Sequence, residues 1–221
     1  MSVERAPVAD LLARADDWLD RTRADGEVRA GWSRPTDAAI VIGSAQRLAM
    51  PGTALQRSTG GGAVSCDDHY LMLDVVLPRG HALVIDDVGR SYRWLAKALL
   101  AALAAHGADL RAVTPRQAAA QPPADRAAAR LACFAGTGTY ELVTLADDRK
   151  VVGLAQRRRG GAALMQAGMY VAAPRLDVAA SLGLPRDQEA RLRARLARVA
   201  TVDEVAPGFP DAPPPAAELV P

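Results

Sequence analysis

The sequence predicts an α+β domain, on three observations: two long segments repeat apolar residues at helical spacing, several short β-branched runs end in glycine or acidic turns, and 221 residues suffice for one buried core. The first element is a helix from Val8 to Arg23. Leu11, Ala15, Trp18, Leu19 and Thr22 recur on one face, Arg14, Asp17, Asp20 and Arg21 lie elsewhere, and Gly26 closes it. The run from Ala38 to Gly43 is apolar, β-branched and ended by glycine, which is the pattern of a buried strand. A loop through Pro51-Gly52 follows. Ala63 to Ser65 and Tyr70 to Leu77 then form strands on either side of the acidic turn Asp67-Asp68.

A second helix is expected to start at Asp86 or Asp87, repeat Val88, Tyr92, Leu95, Leu99 and Leu103, and stop at Gly107. Thr114 to Asp125, rich in Ala, Gln and Pro, suits a surface connection with at most a short helical turn. Tyr140 to Leu145 and Lys150 to Gln156 flank Asp147-Asp148 as a hairpin, and Gly160-Gly161 turns the chain into a third strand from Ala162 to Ala172. Asp187 to Val199 is a basic helix with Leu192, Leu196 and Val199 inward. The proline-rich stretch from Pro207 to Pro221 is expected to be disordered, giving one domain over 1–205 and a tail over 206–221.

Bulk composition narrows the function. Half the residues are apolar, 24% are charged and the net charge is +2, so the strong basic excess of a nucleic-acid binder is absent. No run approaches the roughly 20 apolar residues that span a bilayer, and Glu4, Arg5 and Asp10 replace the apolar core of a signal peptide, which makes the cytoplasm the expected location. Cys66 and Cys133 are too few for a disulfide scaffold and are expected to be free thiols.

Three segments can carry chemistry. Arg57-Ser58-Thr59-Gly60-Gly61-Gly62-Ala63-Val64 strings bare amides together between a loop and a strand; these can wrap a carboxylate or phosphate, with Arg57 adding charge-assisted hydrogen bonds, or form a tight turn with a bulge. Lys150 and Lys97 are the only lysines among 27 basic residues, so the choice of a compact ammonium at Lys150 is informative, although a solvated lysine beside a turn fits as well. Cys133 in Leu131-Ala132-Cys133-Phe134 reads either as a small buried hydrophobe or as a thiol activated by a nearby cation, with Lys150 the candidate. His69, His81 and His106 show no metal-ligand spacing, and Arg157-Arg158-Arg159 is a basic turn of a solvated face.

Taken jointly, Arg57 to Val64 and Lys150 to Gln156 resemble the two signature segments of the lipoate-protein ligase family, R-x-x-G-G-G-A-V and K-x-x-G-x-A-Q, supported by Ile42-Gly43-x-x-Gln46, Ala132-Cys133-Phe134 and Tyr140-Glu141-Leu142. The resemblance covers roughly Trp32 to Tyr170. It implies a biotin/lipoate ligase-like catalytic domain with a mixed, mostly antiparallel sheet, helices packed on it, and an acyl tunnel between glycine loop and lysine strand. It further implies lipoate or octanoate as substrate, with a lysine of a lipoyl carrier domain or glycine cleavage H-type protein as acceptor. As a ligase the chain would use ATP and Mg2+, with Lys150 bridging the ligand carboxylate and α-phosphate. Arg57, Thr59, Gly60, Gly61, Gly62 and Ala63 would then line the acyl and phosphate site, joined by Gly153, Ala155, Gln156 and Gly168. As an octanoyltransferase it would need no cofactor, would carry the acyl group as a thioester on Cys133, and would need Lys150 to lose its proton by burial, whereas the ligase reading needs Lys150 to stay charged. A non-catalytic lipoyl-binding member is the third alternative. Of the three, the ligase reading stands first. Many such ligases carry a small C-terminal accessory domain, which here would be a separate partner. Two positions depart from the family pattern: Cys66-Asp67 replaces His-Asp, and Ala167-Gly168 replaces His-Gly. Lys150→Ala is expected to stop activity and leave the fold intact.

Overall fold

A computed structural model describes residues 3–47 and 54–220. The loop expected through Pro51-Gly52 lies outside the described residues. Strand β1 (Glu4–Ala6) leads into helix α1 (Val8–Asp25), whose end is closed by Gly26 at φ 77°, donating to the Thr22 carbonyl. Strands β2 (Arg29–Pro35), β3 (Ala39–Ile42), β4 (Leu55–Gln56), β5 (Val64–Cys66) and β6 (Tyr70–Leu77) follow. After them come α2 (Arg93–Ala104), β7 (Leu110–Ala112), α3 (Pro115–Ala119), α4 (Pro123–Leu131), β8 (Leu142–Thr144), β9 (Lys150–Arg159) and β10 (Ala162–Tyr170). Helices α5 (Val178–Ser181), α6 (Arg186–Leu196) and α7 (Val202–Val205) complete the elements that position the site.

Seven strands form one sheet in the order β1-β2-β6-β10-β9-β8-β7, antiparallel except for the parallel β1/β2 pair. A small second sheet has the order β4-β3-β5. The expected mixed, mostly antiparallel α+β architecture is therefore what the chain adopts. β6 is buried along its whole length because both faces of the large sheet are covered. Leu71, Leu73, Val75 and Leu77 point to the side packed by Leu95, Leu99 and Leu103 of α2. Alternate residues Tyr70, Met72 and Val76 point to the other side, where α1 and the small sheet lie.

Four sequence expectations change. Helix α2 begins at Arg93, preceded by a single 3-10 turn at Arg90–Tyr92, and Val88 is exposed; Asp87 does cap the entry, accepting from the Arg90 amide at 2.9 Å, but it caps the turn. The stretch after Thr114 holds α3, with a Thr114–Gln117 capping box, and the unforeseen α4, started by Pro123 at its first position. β5 and β6, expected as neighbours, belong to different sheets. The tail is not disordered. Phe209, Ala216 and Leu219 enter the α2-side core, and the Trp32 indole donates to the Pro214 carbonyl at 2.8 Å. Prolines there lower the entropy of the unfolded segment, so few apolar anchors suffice to hold it.

Candidate active site

The two signature segments meet at Cys133. Its amide donates to the Ala63 carbonyl and the Ala63 amide to the Leu131 carbonyl, both at 2.9 Å, so the end of α4 and the glycine strand run side by side. This approach is possible because residue 62 has no side chain: a Cβ there would lie 2.7 Å from the Ala129 carbonyl oxygen and the Ala132 carbonyl carbon. Among the described residues, the amides of Gly60, Gly61 and Gly62 donate to no acceptor. Arg57 does not supply the expected free guanidinium. It is buried and donates to the Gly60 carbonyl at 2.8 Å and the Gly62 carbonyl at 2.7 Å, bracing the loop.

On the other side of Cys133 stands Lys150, the first residue of β9. Its ammonium lies 3.9 Å from the Cys133 sulfur and donates to the carbonyls of Cys133 at 2.6 Å and Gly136 at 3.2 Å. A third partner is the Glu141 carboxylate at 2.6 Å, both side chains being buried. Glu141 is held in turn by the amides of Gly138 at 2.5 Å and Leu154 at 3.0 Å. In the sequence Glu141 stands out only as a flanking residue; the signal that it belongs to the site is that a buried lysine requires a counter-charge.

Burial alone would lower the Lys150 pKa, but the negative charge of an ionised Cys133 and that of Glu141 outweigh it and hold the amine above its usual 10.5. The direction of the shift favours the charged ammonium beside an ionised Cys133, against the loss of a proton by burial expected for the transferase. A group with a raised folded-state value contributes its full stabilisation below the unfolded value and loses it only as pH rises through the higher one. Stability is therefore expected to show no loss from Lys150 below pH 10.5, and in urea denaturation across pH a loss near neutrality that is absent in Lys150→Met would contradict this.

A small apolar cavity of about 40 Å³, below the roughly 300–1,000 Å³ usual for small-molecule sites, is lined by Cys133 and by residues of β9, β10 and β6. Of the anticipated residues, Arg57, Cys133, Gly153, Ala155 and Gly168 line it. Gly153 and Gly168 face each other across β9 and β10 and leave the sheet bare beneath the thiol. Tyr70 occupies part of that space: a Cβ on Gly168 would sit 1.8 Å from its hydroxyl oxygen. Thr59, Gly60, Gly61, Gly62 and Ala63 stand behind this lining, and Gln156 turns away, donating to the Val88 carbonyl at 2.7 Å. Lys150 opens instead onto a neighbouring wider cavity with Arg149, Arg195 and Arg198. Cys66, also lining this cavity, has its thiol pushed up to about 12 by burial, whereas Cys133 has the Lys150 ammonium 3.9 Å from its sulfur.

The model of the lipoyl protein ligase A/B catalytic domain matches residues 34–208, most of the chain. The chain belongs to this family. Among curated proteins, octanoyltransferase LipM of Moorella thermoacetica is 32% identical over 166 residues, covering 71% of this chain. The chain spans 57% of the length of that relative. Among solved structures, a bipartite lipoate protein ligase of Thermoplasma acidophilum, studied with its E2 lipoyl domain, superposes with a TM-score of 0.65 at 20% identity, covering 93% of this chain and 76% of the other. A lipoate-protein ligase A bound with ATP gives 0.61 at 22% identity over 91% and 76%. These structures share the lipoyl ligase fold. Among the described residues, no group of three or more His, Cys, Asp or Glu is placed to hold a metal, and no helix is long and apolar enough to cross a membrane.

Proposed function

We propose that this chain is an acyltransferase that carries an octanoyl or lipoyl group as a thioester on Cys133 and passes it to a lysine of a lipoyl carrier domain. The observation that carries this reading is the Lys150 ammonium 3.9 Å from the Cys133 sulfur at the mouth of an apolar cavity. The Cys133 sulfur attacks the donor's thioester carbonyl carbon, the bond from that carbon to the donor sulfur breaks, and the donor thiolate takes up the proton that Cys133 released. The acceptor amine then attacks the new thioester, loses one proton, and Cys133 leaves as thiolate and recovers one. In both halves Lys150 stabilises negative charge on the sulfur from a fixed position, and Glu141 keeps that ammonium in place. The amides of Gly60 to Gly62, which donate to no acceptor among the described residues, are candidates to receive an incoming carbonyl or anionic group.

The ligase alternative asks Lys150 to bridge a carboxylate and a phosphate. Its ammonium is engaged by Glu141 and by the carbonyls of Cys133 and Gly136 and would have to give up partners to do so, which favours the transferase reading, and the proposed mechanism contains no ATP-dependent step. The similarity to LipM points the same way. Incubation with octanoyl carrier protein and no ATP is expected to add one octanoyl group, measured by intact mass, and Cys133→Ala is expected to lose it entirely. Octanoate-dependent exchange of pyrophosphate into ATP, with no adduct, would replace this reading with the ligase one.

A further inference from the structure

The far end of the acyl cavity is polar, and its polar groups are tied together. The Thr59 hydroxyl donates to the Gln166 side-chain oxygen at 2.5 Å, the Gln166 amide donates to Asp74 at 2.8 Å, and the Arg14 guanidinium donates to the other Asp74 oxygen at 2.8 Å. The chain of bonds joins the glycine loop, β10, β6 and α1. Thr59 and Asp74 are almost fully buried, and Asp74 and Gln166 line the cavity with Leu12 of α1.

Strand register gives the direction. Gly168 pairs with Gly153 and Met72, and Gln166 with Ala155 and Asp74, so the polar row lies two residues further along each strand from the bare rung under Cys133. At about 3.4 Å per residue that is roughly 7 Å. An acyl chain on Cys133 lying along this floor meets Gln166 end-on. To pass, it has to break the hydrogen bond that Gln166 donates to the buried Asp74 carboxylate.

We infer that the Gln166–Asp74 pair, clamped by Thr59 and Arg14, is the stop that sets the longest acyl chain this site accepts. The inference rests on the transferase reading for its substrate and on the register for its geometry. Burial pushes the Asp74 carboxyl up, against the opposing pull of Arg14 and Gln166.

The test is a series of octanoyl, decanoyl, dodecanoyl and tetradecanoyl carrier proteins, with the Cys133 adduct read by intact mass. The wild-type chain is expected to label with octanoyl and to lose labelling roughly tenfold or more by dodecanoyl, the discrimination a chain overfilling an apolar slot suffers. Gln166→Ala removes the stop and moves the cut-off to longer chains. Ala155→Val, opposite Gln166 in the register, narrows the floor and moves it to shorter ones. Equal labelling with every length in wild type, or a cut-off that neither variant moves, overturns the inference. Should Gln166→Ala fail to fold, Ala155→Val decides alone. The same length series of free fatty acids, scored by the shift in melting temperature they give, reads the slot without chemistry. No adduct with any donor but a cut-off in melting shifts that moves in the variants therefore removes the thioester and retains the stop; melting shifts with no cut-off remove the stop.

Discussion

Replacing Glu141 by alanine is expected to lower stability by about 3–5 kcal/mol, because it strands a buried ammonium with its main counter-charge gone. The same range applies to Lys150→Ala, which leaves the Glu141 carboxylate uncompensated at 5% exposure. The sequence led to the opposite expectation for Lys150, that its removal spares the fold, since a lysine beside an acidic turn is ordinarily solvated. Removing both charges together, as Lys150→Met with Glu141→Leu, is expected to recover most of the loss while leaving acyl transfer silent. Urea denaturation of the three variants separates the contributions. A drop below about 1 kcal/mol for Glu141→Ala would falsify the view that this pair is a dry internal one.

Phe209→Ala is expected to cost about 3–5 kcal/mol, the usual consequence of emptying a fully enclosed aromatic site. The ring meets Trp32 edge-on with centroids 5.7 Å apart and His106 at 5.3 Å, so contacts to β2 and to the end of α2 disappear together. Thermal unfolding checks this, and an unchanged melting temperature would mean that the proline-rich segment contributes nothing to the core. The site lies on the opposite face of the large sheet, so the residual folded protein should form the octanoyl adduct at the wild-type rate.

Much of the fold was legible because strong periodicity survives tertiary context. The stripe of α1 and the run of β6, apolar but for Asp74, are local patterns that the core reproduces. Strand β2 was not legible, since Gly31, Ser33 and Arg34 break its alternation, and its pairing with β6 is decided by the sheet. Helix α4 carries its entry signal in Pro122-Pro123, but a chain of alanines gives no apolar stripe to read. At the site, the motif residues identified the region, and the structure redistributed their roles: Arg57 braces the loop, Gly168 makes room for Tyr70, and Gln156 faces the far side. The roles of Glu141, Asp74 and Gln166 were not legible because single polar residues inside strand-like runs look like the solvent side of an alternating pattern until both faces are known to be covered.

The hydrogen bond from Trp32 to Pro214 joins residues 182 positions apart. Contacts of such long range form late, after most of the loop-closure entropy has been lost. Until residues 209–219 arrive, the apolar side of β2 and α2 stays open to water, so the interval before that last docking is when the chain is most exposed to self-association. Substitutions in residues 209–219 are therefore expected to lower soluble yield during synthesis, measured as the soluble fraction against wild type.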